Sequence, residues 1–358
     1  MSNSESEGIF SVVARRRIPR IAYVAHGVNG KHPGSAHVRV IRRARKALRD
    51  GDAWVVQLDV DAFIANAVDH EFDAILVQRD AVEPTKVEPL ITAAKKRHIR
   101  LVAEIDDDLL SATAVERLID QGYDPVRLER MQRLIRFADR VVVSTKPLAG
   151  IVSTVNRSVR VVPNVVDPEL WTRLRTAHDV AEPREQLRVL YMGSSTHAED
   201  AELLREPFER LIAEEAPIAL ETVGISERDE PWRERFDIPG DKTNYPAFVA
   251  WLLDNRDRWD LAVAPLAPTA FNEHKSDLKF LEYSMLGLPT VASDFGPYRG
   301  HGQHGLTLAR TPDDWYSALR SVLAAPDALA SAATTARSYV ESERTLTDSG
   351  AWIRAILN

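Results

Sequence analysis

The chain has 358 residues, of which 44% are hydrophobic and 28% are charged, and its formal net charge is -7. This length allows two domains, the composition excludes a mainly disordered chain, and the acidic balance gives no overall attraction to nucleic acid. The sequence has no cysteine, which excludes disulfides, thiolate metal sites and a cysteine nucleophile, and fits a reducing cytoplasm.

The first 17 residues, MSNSESEGIFSVVARRR, place acidic residues before a short apolar patch and arginines after it. This order is the reverse of a secretory signal peptide, so we predict a flexible polar leader over residues 1–17. No apolar run in the sequence approaches the roughly 18 residues of a membrane span. We therefore expect a cytoplasmic protein.

Six short runs rich in β-branched residues follow, most of them separated by amphipathic helical patterns. The runs are RIAYVAH (20–26), AWVVQLDV (53–60), FDAILVQ (72–78), IRLVAEI (99–105), DRVVVST (139–145) and VRVVPN (159–164). Largely apolar runs are typical of parallel strands that are covered on both faces. The repetition of strand and helix therefore predicts a doubly wound parallel sheet in an N-terminal domain, residues 1–172.

A polar stretch at 173–186 is the predicted linker, and the alternation then resumes. The later runs are LRVLYMG (187–193), IALETVG (218–224), DLAVAPL (260–266), PTVASD (289–294) and GLTLAR (305–310). They predict a second domain over 187–358, whose last helix could pack back on the first domain. The predicted fold class is α/β, with two Rossmann-like doubly wound domains facing a cleft, and ligands are expected beyond the carboxyl ends of the strands.

Polar residues surround the start of the helix that follows DLAVAPL. In the stretch HKSDLKFLEYSMLGLPTVAS, Ser276 is a suitable helix N-cap and Asp277 suits the first turn. The free N–H groups of the helix, together with Lys275 and Lys279, would attract a diphosphate, and Glu282 could accept hydrogen bonds from ribose hydroxyls. The pattern predicts a nucleoside diphosphate site, while a capped surface helix with a solvated Lys–Glu face stays an open alternative.

The segment KSDLKFLEYSMLGLPTVASDFGPY closely resembles the nucleotide-binding helix of GT-B glycosyltransferases of family 4, which are retaining enzymes that use nucleotide sugars. Other segments resemble this family in order and spacing: IRLVAEIDDDLL, RFADRVVVSTKPLAGIV, VRVVPNVVDPELW, VLYMGSSTHAED and FVAWLLDNRDRWDLAVAPL. The resemblance extends from about Arg20 to about Thr335. It implies the GT-B fold and transfer of a sugar from a nucleotide-diphosphate-sugar, with neither a metal nor another cofactor.

The resemblance also implies roles for individual residues. Glu282 matches the second motif glutamate, which holds the donor ribose, and with Lys275 it is the predicted catalytic pair. The turn at Gly193 and Ser194 would approach the diphosphate, and Tyr245 would lie near the nucleobase. The full implied donor-nucleotide site is Gly193, Ser194, Ser195, Thr196, Tyr245, Lys275, Ser276, Asp277, Leu278, Lys279 and Glu282. A glycan or lipid-linked acceptor would dock on the N-terminal domain.

Two departures from the family pattern affect this site. The family usually has two motif glutamates separated by seven residues, but the first position here is His274, with Glu273 beside it. The family also usually has an Arg and a Lys soon after the "MG" turn, whereas this chain has no cation there until Arg205. We therefore expect Lys275, Lys279 and the helix N-terminus to neutralise the diphosphate, and the role of the first glutamate stays unassigned.

Loops after the N-terminal strands supply a predicted acceptor or cleft set, namely Gly34, Ser35, Arg39, Arg79, Asp106 and Asp107. The glycines of GVNGKHPGSAHVR permit a close backbone approach, and Ser35 could cap the next helix, while a plain connection between strand and helix stays an open alternative. Asp106 and Asp108 also have the Asp-x-Asp spacing of metal-binding GT-A transferases. A cleft wall or acceptor contact is the first interpretation of EIDDD, an acid-rich helix start is the second, and a metal site is the last. HGQH (301–304) is interpreted as a turn, so no metal ligand is predicted.

The next helix carries six cations and an apolar stripe. The cations are Arg39, Arg42, Arg43, Arg45, Lys46 and Arg49, and the apolar set is Val40, Ile41, Ala44, Ala47 and Leu48. Helical spacing places the apolar residues on one side. The basic face could contact an anionic membrane, on its cytoplasmic side, or a lipid-diphosphate acceptor, although such a face is more often simply solvated.

The leading interpretation is a retaining glycosyltransferase that builds a polysaccharide or glycolipid. Two alternatives stay open. A sugar-nucleotide epimerase can share the fold, but its acid and base residues are not identifiable in the sequence. A catalytically silent module that binds a carbohydrate or a protein is favoured by the missing first glutamate.

Overall fold

The computed structural model describes residues 17–27, 31–67, 71–172, 185–194, 197–225 and 229–358. Within these ranges the chain forms two six-stranded parallel sheets, each flanked by helices. The predicted α/β fold with two doubly wound sheets is confirmed. The predicted leader lies outside the described residues except for Arg17, and so does most of the linker, so the domain boundaries stay predictions.

The first sheet has the order β2-β1-β3-β4-β5-β6. Its strands are β1 Arg20–Val24, β2 Trp54–Gln57, β3 Ala74–Gln78, β4 Arg100–Ile105, β5 Arg140–Val143 and β6 Val159–Val161. The central strand β3 is buried along its whole length, as expected for a parallel strand covered on both faces. β2 is shorter than predicted because Asp59 caps the next helix, its side chain accepting a hydrogen bond from the Ala62 amide.

Helices cover both faces of this sheet. They are α1 Gly34–Ala36, a π-helical turn His37–Ile41, α2 Arg42–Arg49, α3 Val60–Ile64, α4 Val87–Lys96, α5 Ala112–Asp120, α6 Pro125–Phe137, α7 Lys146–Val152 and α8 Pro168–Trp171, with a 3-10 turn at Pro84–Lys86. The side chains of Ser111, Asp124 and Thr145 cap α5, α6 and α7. These caps fix where each helix starts, and hence the lengths of the loops at the cleft end of the sheet.

The second sheet has the order β12-β11-β10-β7-β8-β9. Its strands are β7 Leu187–Met192, β8 Ile218–Val223, β9 Glu234–Arg235, β10 Leu261–Ala264, β11 Thr290–Ser293 and β12 Leu306–Ala309. The two-residue edge strand β9 is not predicted by the sequence pattern because it is too short to show a period. All five predicted strands of this half are present.

The helices of the second half are α9 Ala198–Ala201, α10 Arg205–Ala213, α11 Tyr245–Asp254, α12 Ala270–Glu273, α13 Leu278–Leu286, α14 Pro312–Ala324, α15 Pro326–Glu343 and α16 Gly350–Leu357. Short 3-10 turns occur at Glu202–Leu204, Gly240–Lys242, Arg256–Arg258, Gly296–Tyr298 and Gly302–His304. In the described part of the chain, none of the helices combines the length and the apolar character needed to cross a membrane.

The last helix, α16, packs on the first sheet. Trp352 and Ile356 are buried in the same core as Ile21 of β1. Ser349 Oγ, just before α16, donates a 2.6 Å hydrogen bond to Asp52 Oδ2. The end of the chain therefore ties the second sequence half to the first sheet.

The helical segment after β1 buries most of the arginines that were expected on a solvated face. Arg39, Arg42 and Arg43 are only 1%, 7% and 4% exposed, whereas Leu48 is 50% exposed. The predicted basic face is wrong for these three arginines. A π-helical turn at His37–Ile41 contains more residues than an α-helical turn and so rotates the following side chains relative to a regular α-helix.

These buried guanidinium groups have partners within the first half of the chain. Arg42 forms ion pairs with Asp167 and Glu169. Arg43 Nη2 donates a 2.7 Å hydrogen bond to the carbonyl of Pro163. These three arginines, on which the predicted membrane contact mainly depends, are therefore not available to bind a membrane surface.

Candidate functional site

The loops of the second sheet converge where its strand order reverses. β7 and β10 are neighbours, but β8 follows β7 on one side and β11 follows β10 on the other. In open α/β sheets, the crevice beyond the carboxyl ends of such strands binds ligands. The turn after β7 begins at Gly193, and the chain after β10 continues through α12 to α13. Gly193 and Ser194 after β7 and the described donor residues of α13 after β10 therefore lie at the edge of the sheet where a ligand is expected.

Two glycines allow neighbouring turns to approach each other at this edge. A Cβ atom at Gly193 would lie 2.7 Å from Ile225 Cδ1 and 3.1 Å from His197 Cδ2. Gly224 has a φ of +74°, and a Cβ atom there would lie 2.4 Å from the carbonyl oxygen of Gly193. Glycine is therefore required at Gly224, by both conformation and contact with backbone, whereas a side chain at position 193 would have to displace the end of Ile225.

The turn itself is described only in part. Ser194 follows Gly193 directly and is exposed. Ser195 and Thr196, both predicted diphosphate contacts, lie outside the described residues, so their roles stay predictions.

The start of α13 differs from the sequence prediction in its cap. Asp277, and not Ser276, is the N-cap, and its side chain makes no capping hydrogen bond. Arg344 holds the Asp277 carboxylate instead, with Nη1 and Nη2 at 2.6 and 2.9 Å from its two oxygens. Ser276 Oγ accepts a 2.7 Å hydrogen bond from Nδ2 of Asn164. The predicted Ser276 cap is wrong because α13 begins at Leu278, one residue later than a cap at Ser276 would require, and it has no side-chain cap.

Two lysines lie at this end of α13. Nζ of Lys279 is 3.1 Å from Nε2 of His197. Burial and the nearby charge of Lys275 lower the pKa of Lys279 to about 8. Nζ of Lys275 lies 5.2 Å from the centre of the Phe271 ring. Both lysines remain partly exposed, so both ammonium groups can meet an anion in the crevice.

Glu282 lies about one turn further along α13 and is 8% exposed. Its Oε1 accepts a 2.6 Å hydrogen bond from the Tyr245 hydroxyl. Burial raises the pKa of Glu282 to about 7, against the opposing effects of this bond and of Lys279. The Tyr245 ring stacks on His37 with 5.6 Å between ring centres, and a Cβ atom at Gly34 would lie 3.0 Å from it. Tyr245 thus joins Glu282 to the first domain, and its contact with a nucleobase stays a prediction.

His274 faces the first domain. It occupies the position at which the family that this sequence resembles usually has its first motif glutamate. His274 Nδ1 lies 3.0 Å from Oδ2 of Asp108, and its carbonyl accepts a 2.8 Å hydrogen bond from Thr145 Oγ1. Asp108 is fully buried and accepts hydrogen bonds from the amides of Leu110 and Ser111. Both amides bond Oδ1 of Asp108, and Ser111 Oγ donates a 2.6 Å hydrogen bond to its Oδ2, so Asp108 supports the start of α5 with both oxygens.

Arg79, Asp106 and Asp107 form an ion-paired cluster beyond β3 and β4. Arg79 Nη1 lies 3.3 Å from Asp106 Oδ1 and 3.0 Å from Asp107 Oδ2. Arg79 also has a φ of 47°, which is uncommon for a non-glycine residue. Burial and the charge of Asp107 raise the pKa of Asp106. Burial also opposes ionisation of Asp107, but the charges of Arg79 and Lys275 outweigh it and lower the pKa of Asp107.

The other residues predicted for the acceptor or cleft set have structural contacts. Arg39 donates hydrogen bonds of 2.7 Å to Glu104 Oε1 and 2.8 Å to Asn164 Oδ1. Because Arg39 is 1% exposed, its prediction as a cleft residue is wrong, and it supports the cleft wall from inside. Ser35 lies within α1, whose N-cap is Pro33, so the prediction that Ser35 caps this helix is also wrong.

His197 and Asp200 are absent from the predicted site, although His197 lies beside Lys279. His197 Nδ1 lies 2.8 Å from Asp200 Oδ2, and Asp200 is 2% exposed. Their spacing in THAED is three residues, which places them on one face of a helical turn. That spacing could have indicated the pair. No cluster of three or more possible metal-ligating side chains occurs in the described ranges.

The sequence matches one family model, and the fold matches several solved structures. Residues 186–325 match the model described as glycosyl transferases group 1. HepE of Anabaena, solved with UDP-glucose, superposes with a TM-score of 0.61 at 14% identity, covering 94% of this chain and 98% of HepE. Sucrose-phosphate synthase of Thermosynechococcus elongatus gives a TM-score of 0.65 at 14% identity, with 94% and 97% covered. No curated protein matches the sequence.

A third solved structure extends the comparison. An alpha-glucosyltransferase in complex with UDP and a 13-mer DNA gives a TM-score of 0.64 at 11% identity, covering 95% of this chain and all of the other. The likeness covers most of this chain, so its fold is GT-B. The group 1 match over the second sheet, taken together with this fold, supports a glycosyltransferase as the enzyme class.

Proposed function

We propose that the chain is a retaining glycosyltransferase of family 4 that moves a sugar from a UDP-sugar to a glycan or glycolipid acceptor. The observation that carries the proposal is the start of α13, where Lys275 and Lys279 flank an uncapped helix end and Glu282 follows. Backbone N–H groups and ammonium groups suit a diphosphate, and a carboxylate suits the ribose hydroxyls. UDP is the nucleotide we propose because HepE and the alpha-glucosyltransferase are solved with it.

In this proposal the two lysines assist the chemical step as well as binding. Departure of UDP places negative charge on its diphosphate, and positive groups fixed at that position stabilise the transition state more than the ground state. The lysines and the helix end would do this without a metal ion. Asp108, one half of the alternative Asp-x-Asp pair, already accepts hydrogen bonds from two amides, so it fits a metal ligand poorly.

The acceptor would enter from the first domain. Arg79, Asp106 and Asp107 lie at the carboxyl ends of β3 and β4, and Asp107 is close enough to Lys275 for its pKa to respond to that charge. Polar groups on this wall suit sugar hydroxyls. We propose that the transferred sugar binds between this cluster and the loop that contains His274.

Nucleotide binding and donor hydrolysis together test the proposal. Thermal unfolding with a panel of nucleoside diphosphates should select UDP, because a ligand at about 100 times its dissociation constant adds about 2.7 kcal/mol of stability. Incubation with UDP-sugars should then release UDP and a free sugar of retained anomeric configuration. A protein that binds UDP and neither hydrolyses nor transfers the sugar would instead be a silent binding module, which His274 at the first motif position favours.

A further inference from the structure

His197 contacts both the turn after β7 and the start of α13. Its ring lies 3.1 Å from the position of a Cβ atom at Gly193, and its Nε2 lies 3.1 Å from Nζ of Lys279. The His197 side chain is 13% exposed. A largely buried imidazole therefore lies beside one of the two lysines at the proposed diphosphate position.

Asp200 determines which nitrogen of His197 carries the proton. Its Oδ2 lies 2.8 Å from His197 Nδ1, and its Oδ1 accepts hydrogen bonds from the Ala267 amide and from Asn272 Nδ2. Despite burial, these contacts lower the pKa of Asp200, so it is ionised and only accepts hydrogen bonds. The proton of a neutral His197 ring is therefore on Nδ1.

The other nitrogen of the ring is then an acceptor. Burial and the charge of Lys279 lower the pKa of His197 to about 4, so the ring is neutral at pH 7. Its Nε2 has a lone pair, and the Lys279 ammonium group is the donor across the 3.1 Å separation. An ammonium group has three N–H donors, so two remain for an anion.

We propose that His197 is a positioning residue of the donor site, whose Nε2 accepts a hydrogen bond from Lys279 and holds that ammonium group where the donor diphosphate binds. This inference rests on the proposed function, since it takes the diphosphate of a nucleotide sugar as the ligand. The segment after β7 then contributes to diphosphate binding although it has no lysine or arginine. Its neutral His197 orders Lys279, the cation that α13 supplies. Ordering a flexible lysine before the ligand arrives lowers the entropic cost of binding.

A double-mutant cycle tests whether His197 acts through Lys279. UDP affinity is measured by calorimetry at pH 7 for wild type, His197→Ala, Lys279→Ala and the double variant. His197→Ala should weaken UDP binding by about tenfold, the effect of one charge-assisted hydrogen bond. In the Lys279→Ala background the same change should cost almost nothing, because the residue on which it acts is gone. His197→Gln, whose side-chain oxygen also accepts a hydrogen bond, should restore most of the affinity.

Two controls separate positioning from general support of the fold. Uridine lacks the diphosphate, so His197→Ala should leave its affinity unchanged. The same cycle with Lys275→Ala should show much weaker coupling, since the Lys275 ammonium group lies over Phe271 and acts on His197 and Lys279 only through its charge.

The possible results separate this inference from the proposed function. Equal losses from His197→Ala with and without Lys279, or equal losses for UDP and uridine, overturn the positioning role while UDP binding by the wild type stands. A wild-type protein that binds no nucleoside diphosphate overturns the proposed function and this inference with it.

Discussion

Tyr245 donates a 2.6 Å hydrogen bond to Oε1 of Glu282, and its ring stacks on His37 of the first domain. The carboxylate proposed to bind the donor ribose is therefore joined, through one aromatic ring, to the helix that follows β1. A hydrogen bond to a carboxylate favours the charged form, so Tyr245 helps to keep a buried glutamate ionised. This makes the charge of Glu282 sensitive to both pH and the position of Tyr245.

The pH dependence of UDP affinity should have two limbs. Glu282 has a pKa of about 7, and its proposed contact with ribose is strongest when it is ionised, so affinity should rise as pH increases through that value. Lys279 has a pKa near 8 and binds the diphosphate only when protonated, so affinity should fall above it. Calorimetry between about pH 5.5 and 9.5 measures both limbs. Uridine, which has no phosphate, should show the acid limb alone.

Tyr245→Phe should move the acid limb upward. Loss of the hydrogen bond to the charged form raises the pKa of Glu282 further, by about one unit if the bond contributes about 1.5 kcal/mol. Lys279 responds to this change only through the charge of Glu282, whose partial loss would lower the pKa of Lys279, so the alkaline limb should not move upward with the acid limb. The same calorimetric titration measures the shift. An unchanged acid midpoint would mean that a group other than Glu282 controls that limb.

The buried pair of Arg39 and Glu104 should be essential for stability. Arg39→Met leaves the Glu104 carboxylate buried without its cation, which typically costs about 3–5 kcal/mol. Urea unfolding measures this loss. Arg45→Met is the matched control, because Arg45 is exposed on the same helical segment and a surface change should alter stability by less than about 0.5 kcal/mol. Recovery of stability in Arg39→Met with Glu104→Leu would identify the unpaired charge as the cause.

Much of the fold could be predicted because its strands are apolar runs separated by regular helical patterns. The ladder of parallel strands depends on those local patterns, and among the strands of the described ranges only the two-residue strand β9 lacks one. The stretch around α13 also predicts a helix with two lysines near its start, and the structure has this helix. What the sequence could not show is which partner each polar side chain finds in the folded chain.

Ser276 and Arg39 illustrate this limit. Serine is a preferred residue at helix N-caps, yet Ser276 accepts a hydrogen bond from Asn164, 112 residues earlier, and does not cap α13. Arg39 has the spacing of a solvated face, yet it is buried and donates a hydrogen bond to Glu104, 65 residues later. Both outcomes depend on contacts between distant segments, which a local pattern does not contain.

Activity should be nearly unchanged by EDTA. In the proposed function the two lysines and the uncapped start of α13 would supply the positive charge at the diphosphate, so we expect no requirement for a divalent ion. UDP release from a UDP-sugar, assayed with EDTA and with added Mn²⁺, checks this. Complete loss in EDTA that Mn²⁺ restores would transfer the diphosphate role to Asp106 and Asp108.

Glu282 and Lys275 should affect different parts of the same ligand. Glu282→Gln keeps the size of the side chain and removes its charge, so hydrogen bonds to the ribose should weaken by roughly 1.5–3 kcal/mol, or about ten- to a hundredfold in affinity. UDP and uridine should lose affinity alike, because both carry the ribose. Lys275→Ala should weaken UDP far more than uridine, because only UDP carries the diphosphate. Calorimetric titration of both ligands into both variants measures the contrast, and thermal unfolding confirms that each variant is folded. If each variant lost the same affinity for UDP as for uridine, Glu282 would not bind the ribose and Lys275 would not bind the diphosphate. The proposed placement of UDP would then have to be abandoned.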